Sequence, residues 1–240
     1  MTRSSFVKAG YNGHSICHWF HQNAQMNMKR KPPSNHQMLK AGITGGIGSG
    51  KTTVCKMFEK LGIPVYYADD RAKHLMQHEH FLIDQIKKNF GEDVYANGQL
   101  DRKALAAKVF NDKAKLELLN SLVHPVVFRD TERWMEEQKD KKVPYVLKEA
   151  ALLVETGSYK GLDELIVVTA PLNTRIERVT ERDNTDAEEV LARVKNQLPE
   201  EDKVKLANFV ITNNDGFGEL EEQVLKIHEK MIEENSKLGV

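Results

Sequence analysis

The chain has 240 residues, 40% of them apolar, with 35 basic and 35 acidic side chains. That suffices for one good core with room for a subdomain, while no apolar run approaches the ~20 residues of a membrane span and the zero net charge gives no basis for bulk nucleic-acid binding. Two cysteines, Cys17 and Cys55, make no disulfide framework and suit a reducing cytosol, so a cytoplasmic location is expected, without membrane or nucleic-acid partners.

The charge is unevenly spread. Residues 1–37 hold Arg3, Lys8, Lys29, Arg30 and Lys31 and no acidic residue, leaving the rest of the chain at about −5. Any anion site is therefore local. This first segment shows no sustained period and ends in a Lys-Arg-Lys-Pro-Pro run, so it reads as a disordered leader that joins the domain, 38–240, near Met38. An acid-free basic leader fits an organelle transit peptide. Its few arginines and weak amphipathic pattern favour a start at Met26, Met28 or Met38 instead.

The apolar run Leu39, Ala41, Ile43 predicts a strand, and Gly45-Gly46-Ile47-Gly48-Ser49-Gly50-Lys51-Thr52 follows it with the spacing G-x-x-x-x-G-K-[ST]. Glycines let consecutive backbone N–H groups curl around a phosphate, and a helix N-terminus behind them favours negative charge. Val54, Met57, Phe58 and Leu61 supply one apolar face of that helix. Strand, glycine loop and helix are the context the motif requires. Gly46, Ile47, Gly48, Ser49, Gly50, Lys51, Thr52 and Thr53 are thus the expected phosphate cradle, with Lys51 reaching the β- and γ-phosphates and the Thr52 hydroxyl a ligand for Mg²⁺.

Ile63–Tyr67 predicts a short buried strand with Asp69 and Asp70 just past its C-terminal end, the edge where ligands lie in doubly wound sheets. Either carboxylate can meet a substrate hydroxyl there, or cap the helix that begins at Arg71. From His80 to Lys142 the pattern is helical without an intervening strand, with Asp101 a cap and His124-Pro125 a junction between two helices. So long an insertion resembles a substrate-covering subdomain. The sheet resumes at Val143–Leu147. Glu149 beyond it reads equally as a partner for the metal site and as a solvated strand end.

Leu165–Thr169 has the mark of a central parallel strand. Pro171 opens a helix bearing Arg175, Arg178 and Arg182 at i, i+3, i+7, on one face, and Thr185-x-x-Glu188 reads as a capping box for a helix carrying Arg193 and Gln197. Such a pair is either a solvated basic face or a lid that brings cations over a transferring phosphoryl group, and Arg182 is the strongest lid candidate. Phe209–Thr212 predicts a last strand, after which Asn213 reads equally as a lining of a base pocket and as a plain turn.

Taken together, the glycine loop at 42–52, Leu-Gly-Ile-Pro-Val leading to Ala68-Asp69, His124-Pro125, Leu152-Leu153 with Glu155-Thr156-Gly157, Arg178 with Arg182-Asp183, and Val210-Ile211 with Asn213-Asn214 resemble the dephospho-coenzyme A kinase family over about residues 39–235. The resemblance implies a P-loop NTPase-type α/β fold, a parallel five-stranded sheet flanked by helices, with a CoA-binding helical subdomain at 77–142 and a lid at 171–198. It implies phosphorylation of the ribose 3′-hydroxyl of dephospho-CoA by ATP with Mg²⁺, Asp69 as the base, and Arg178 and Arg182 over the transferred group. Its small-molecule partners are ATP and dephospho-CoA, and the chain is expected to be a monomer or weak homo-oligomer. Two departures stand out: the family usually has Asp-Ala-Asp where this chain has Tyr67-Ala68-Asp69, and Pro and an aromatic where this chain has Ala151 and Val154.

Rival readings are a kinase of another small metabolite, a regulatory GTPase and a binding module that has lost catalysis. The chain has no Asn-Lys-x-Asp segment for reading guanine. Intact Lys51, Thr52 and Asp69 argue against the inert module.

Overall fold

The computed structural model describes residues 38–109, 112–214 and 216–238. The leader expected at 1–37 lies outside them.

Five parallel strands form the main sheet: β1 (Leu39–Gly45), β2 (Val65–Tyr67), β5 (Tyr145–Glu149), β6 (Glu164–Thr169) and β7 (Phe209–Thr212), in the order β2-β5-β1-β6-β7. Being covered on both faces, the inner strands read as continuous apolar runs, and β5 is buried at every position. Helix α1 (Lys51–Lys60) and the C-terminal helix α9 (Phe217–Leu238) cover one face, packing Val54, Phe58, Val224 and Met231 against Ile43, Tyr145, Ile166 and Ile211. On the other face Tyr66, Leu153, Leu165 and Val167 pack against Trp134. No helix among the described residues is long and apolar enough to cross a membrane.

Between β2 and β5 the chain forms α2 (Ala68–His78), α3 (His80–Phe90), α4 (Arg102–Val109) and α5 (Lys113–Lys139). Leu75, Leu82, Ile86, Phe90, Val123 and Val126 give this layer a core of its own. It is tied to the sheet edge by Asp130, which accepts from Tyr66 Oη (2.8 Å) and from Arg71 Nε and Nη2 (both 2.9 Å). Burial pushes the Asp130 carboxyl up, but the Arg71 guanidinium and the Tyr66 hydroxyl together hold it below the usual carboxylate range.

Three local expectations are corrected. A small antiparallel hairpin, β3 (Tyr95–Ala96) with β4 (Gln99–Leu100), interrupts the helical run. Its turn is Asn97-Gly98 with φ of 53° and 76°, the positive pair that a two-residue hairpin loop needs, and Asn-Gly is the sequence that tolerates it. His124-Pro125 joins no helices but lies inside α5, which tolerates the missing Pro125 N–H because Val123, Val126, Thr131 and Met135 pack on either side. The cap of α7 (Ala187–Lys195) is Asp186, whose carboxylate accepts from Glu189 N–H at 2.8 Å, one residue later than the Thr185 box. Asp101 does cap α4, accepting from Lys103 and Ala104 N–H at 2.9 and 3.0 Å.

At the edge of the sheet remote from the glycine loop, burial and then the nearby Glu234 carboxylate push the Glu164 carboxyl up to about 7. Its folded-state value lies above its ordinary one, so the folded chain binds the extra proton and stability falls as pH rises from about 4.5 to about 7. Glu164→Gln is therefore expected to raise Tm more at pH 8 than at pH 5. Equal shifts in thermal scans at the two pH values would contradict this.

Candidate active site

The five strands deliver their C-terminal ends to one edge. From β1 the chain enters the glycine loop, where Gly48 and Gly50 have φ of 79° and 90°. A Cβ at Gly48 would lie 2.5 Å from the Arg175 carbonyl oxygen, so the turn needs glycine for both conformation and space. The loop leads directly into α1, and the first N–H groups of a helix, which have no partner within it, suit an anion at that end. Half-buried Lys51 donates from Nζ to the carbonyls of Gly45 (3.0 Å) and Gly46 (3.3 Å). Burial lowers its ammonium below the ordinary lysine range, opposed by Glu149 and Asp69. Ser49 Oγ is buried without a hydrogen-bond partner. Asn213 closes the loop from behind, donating from Nδ2 to the Ser49 carbonyl at 2.9 Å.

In front of the loop lies a cavity of about 870 Å³. Gly48, Gly50, Lys51, Thr52 and Thr53 form one wall, Tyr67, Asp69, Asp70 and Glu149 another, with Arg178 and Arg182 lining it as well. Sheet register accounts for the acidic wall, because Glu149 pairs with both Ile43 of β1 and Tyr67 of β2. Asp69 and Asp70 then fall in the first turn of α2, so neither caps it. Asp70 is held by Lys73 (2.7 Å), whereas Asp69 Oδ2 accepts a long hydrogen bond from Ala151 N–H (3.4 Å). Proline, which the family resemblance places at 151, has no such donor. That departure touches the carboxylate as well as the packing.

Glu149 is no solvated strand end: it is only 7% exposed. Burial pushes its carboxyl up to about 7, against the pull of Lys51 and with the push of Asp69 and Asp70. Tyr67 stands where the resemblance usually places an acid. Its hydroxyl is raised above the usual tyrosine range by burial first and then by Cys55 and Glu59.

Helices α6 (Leu172–Asp183) and α7 (Ala187–Lys195) divide their arginines. Arg178 donates to Asn213 Oδ1 (3.4 Å), and Arg182 is held by Asp183 (2.7 and 3.1 Å), which also takes Arg193. Arg175 is buried against Glu200 and does not line the cavity. A second hollow of about 210 Å³, lined by Gly50, Thr53, Arg178, Asn213 and Phe217, lies beyond the loop. Most of the expected site residues therefore share one cavity; Gly46, Ile47 and Ser49 lie behind it, and Asn213 lines the smaller hollow.

The donor set fits a nucleotide triphosphate with a hard cation. A lysine, two positive-φ glycines and an orphaned buried hydroxyl make an anion cradle. Thr52, Asp69 and Glu149 in the same cavity suit Mg²⁺, which takes one or two carboxylates and completes its shell with substrate phosphates and water. Among the described residues no cluster of three His, Cys, Asp or Glu side chains offers an all-protein metal site. Sequence reasoning missed the Arg71–Asp130–Tyr66 clamp, whose partners lie about 60 residues apart and leave no local signal.

A phosphate loop leading into α1, an acidic wall at the ends of β2 and β5, and arginines of the helix after β6 on the same cavity define a P-loop kinase of small molecules. Within that class, the model of the dephospho-CoA kinase family matches residues 39–219, and the chain belongs to that family. Its relatives include the dephospho-CoA kinases of Chlorobaculum tepidum, 40% identical over 204 residues (81% of this chain, 95% of the relative), and of Chlorobium luteolum, 36% identical over 204 residues (83% and 93%). Among solved structures it resembles TT1252 from Thermus thermophilus (TM-score 0.72, 38% identity, 81% of this chain and 97% of that one). It also resembles dephospho-CoA kinase from Campylobacter jejuni (TM-score 0.62, 25% identity, 82% and 98%).

Proposed function

We propose that the chain transfers the γ-phosphoryl group of ATP to the ribose 3′-hydroxyl of dephospho-CoA, the last step of coenzyme A synthesis. The observation that carries this is the single cavity in which Lys51 and Thr52 face Asp69 and Glu149 under Arg178 and Arg182. Backbone N–H groups of Gly48, Gly50, Lys51, Thr52 and Thr53, with the Lys51 ammonium, hold the ATP phosphates, and the adenine base sits in the smaller hollow beside Asn213 and Arg178. Asp69 orients the acceptor hydroxyl and takes its proton as the oxygen attacks. Arg178 and Arg182 neutralise charge on the transferring group. Thr52, Asp69 and Glu149 would hold Mg²⁺, which would supply positive charge against the phosphates during transfer. Residues 77–142 form the acceptor-binding subdomain and 171–198 the lid, whose closure excludes water as a competing acceptor. ATP and dephospho-CoA are then the two partners, and the chain works in the cytoplasm.

NMR of the product tests the assignment. A single phosphomonoester on the 3′-oxygen is expected, because that is the hydroxyl proposed to meet Asp69. A 2′-phosphate or a mixture would overturn the positional assignment.

A further inference from the structure

The glycine loop meets the lid at one residue from two directions. Ile47 N–H donates to Gln197 Oε1 at 2.9 Å, just beyond the end of α7. The Ile47 carbonyl accepts from Arg175 Nε at 3.0 Å, in the first turn of α6. The two roots of the lid thus hold the two polar groups of a single loop residue. Each root is itself fixed. Buried Arg175 pairs with Glu200 Oε2 at 3.3 Å, and its guanidinium lies so close to Gly46 that a Cβ there would overlap it. Glu155, on the turn after β5, accepts from Leu198 N–H at 3.0 Å and pairs with Lys203 Nζ at 2.6 Å, Lys203 being 1% exposed.

Neither Gln197 nor Arg175 lines the large cavity, so neither is placed to touch substrate there. Yet Arg178 and Arg182 follow Arg175 by one and two turns on the same helix, so whatever fixes Arg175 to the loop fixes those guanidiniums relative to phosphates held in it. We infer that Gln197 and Arg175 are positioning residues for phosphoryl transfer: they grip the Ile47 peptide from both ends of the lid and hold the lid arginines in register with the phosphate loop. The inference rests on the proposed phosphotransferase reading, but one arm of its test does not.

Gln197→Met keeps the side chain's bulk and removes the acceptor oxygen; Gln197→Glu keeps an acceptor. One hydrogen bond of ordinary net strength corresponds to a change of about 2- to 10-fold. Gln197→Met is expected to lower acceptor-dependent turnover by about that factor with the acceptor KM unchanged, and to leave acceptor-independent ADP release at the parental rate or above. The ratio of the two falls, Tm stays within about 2 °C, and Gln197→Glu restores the ratio. Arg175→Lys, which keeps a cation opposite Glu200 without the Nε contact, should move the ratio the same way. The independent arm uses ATP alone: it should shield the lid's Arg182 and Arg193 from trypsin in the parent and less so in Gln197→Met. A parental ratio and parental shielding in Gln197→Met, or equal defects in the Met and Glu variants, would overturn the inference. A parent that no acceptor stimulates but whose lid ATP still shields would fail the functional reading and leave the coupling standing.

Discussion

Lys51→Ala is expected to lower kcat/KM by at least about 10²–10³-fold, the loss that follows removal of one preorganised charge-stabilising donor, while leaving the fold intact. The argument for the first half is placement: Lys51 lines the cavity at the glycine loop, its ammonium resting on the carbonyls of Gly45 and Gly46. Phosphate oxygens would take over those donors. The argument for the second half is electrostatic. Burial disfavours the charged ammonium, as its lowered pKa records, so deleting it removes a desolvation penalty along with two hydrogen bonds. Thermal unfolding should therefore shift little. A variant that turns over at the parental rate, or one that loses activity only because it unfolds, would contradict this reading of Lys51.

Asp69→Asn is expected to cut kcat by about 10²- to 10⁴-fold, the usual contribution of a positioned base, with ATP affinity nearly unchanged. Asparagine keeps an oxygen to accept from Ala151 N–H, so the local geometry of α2 is retained and the change isolates proton acceptance. Nucleotide binding by calorimetry and kcat by steady-state kinetics separate the two effects. Unaltered kcat would refute the base assignment and shift attention to Glu149, the other carboxylate of the same wall.

The fold was legible where the chemistry is local. The glycine loop declares its own strand and helix, and Leu165–Val168 has the apolar continuity that only a strand buried on both faces requires. Asp69 and Glu149 were legible as candidates because each follows a predicted strand. That they face each other across one cavity is a consequence of register, which pairs Tyr67 with Glu149 and which no short window encodes. Asn97-Gly98 was a hairpin signal overlooked beneath strong helical periods on either side. Pro125 was read as a boundary because proline usually ends a helix, and tertiary packing on α5 overrides that preference. The three arginines of α6 share a helical face in sequence but not a job: Arg175 turns to the back of the loop, while Arg178 and Arg182 line the cavity. What separates them is contact with Ile47 and Glu200, residues far off in the chain.

ADP release from ATP and Mg²⁺ is the most direct test of the whole account, measured with dephospho-CoA and, in parallel, with adenosine, AMP and shikimate. The account predicts strong stimulation by dephospho-CoA alone, abolished in Lys51→Ala. Stimulation by one of the other acceptors instead would keep the phosphate loop and overturn the substrate, and equal turnover with no acceptor present would contradict the phosphotransferase itself.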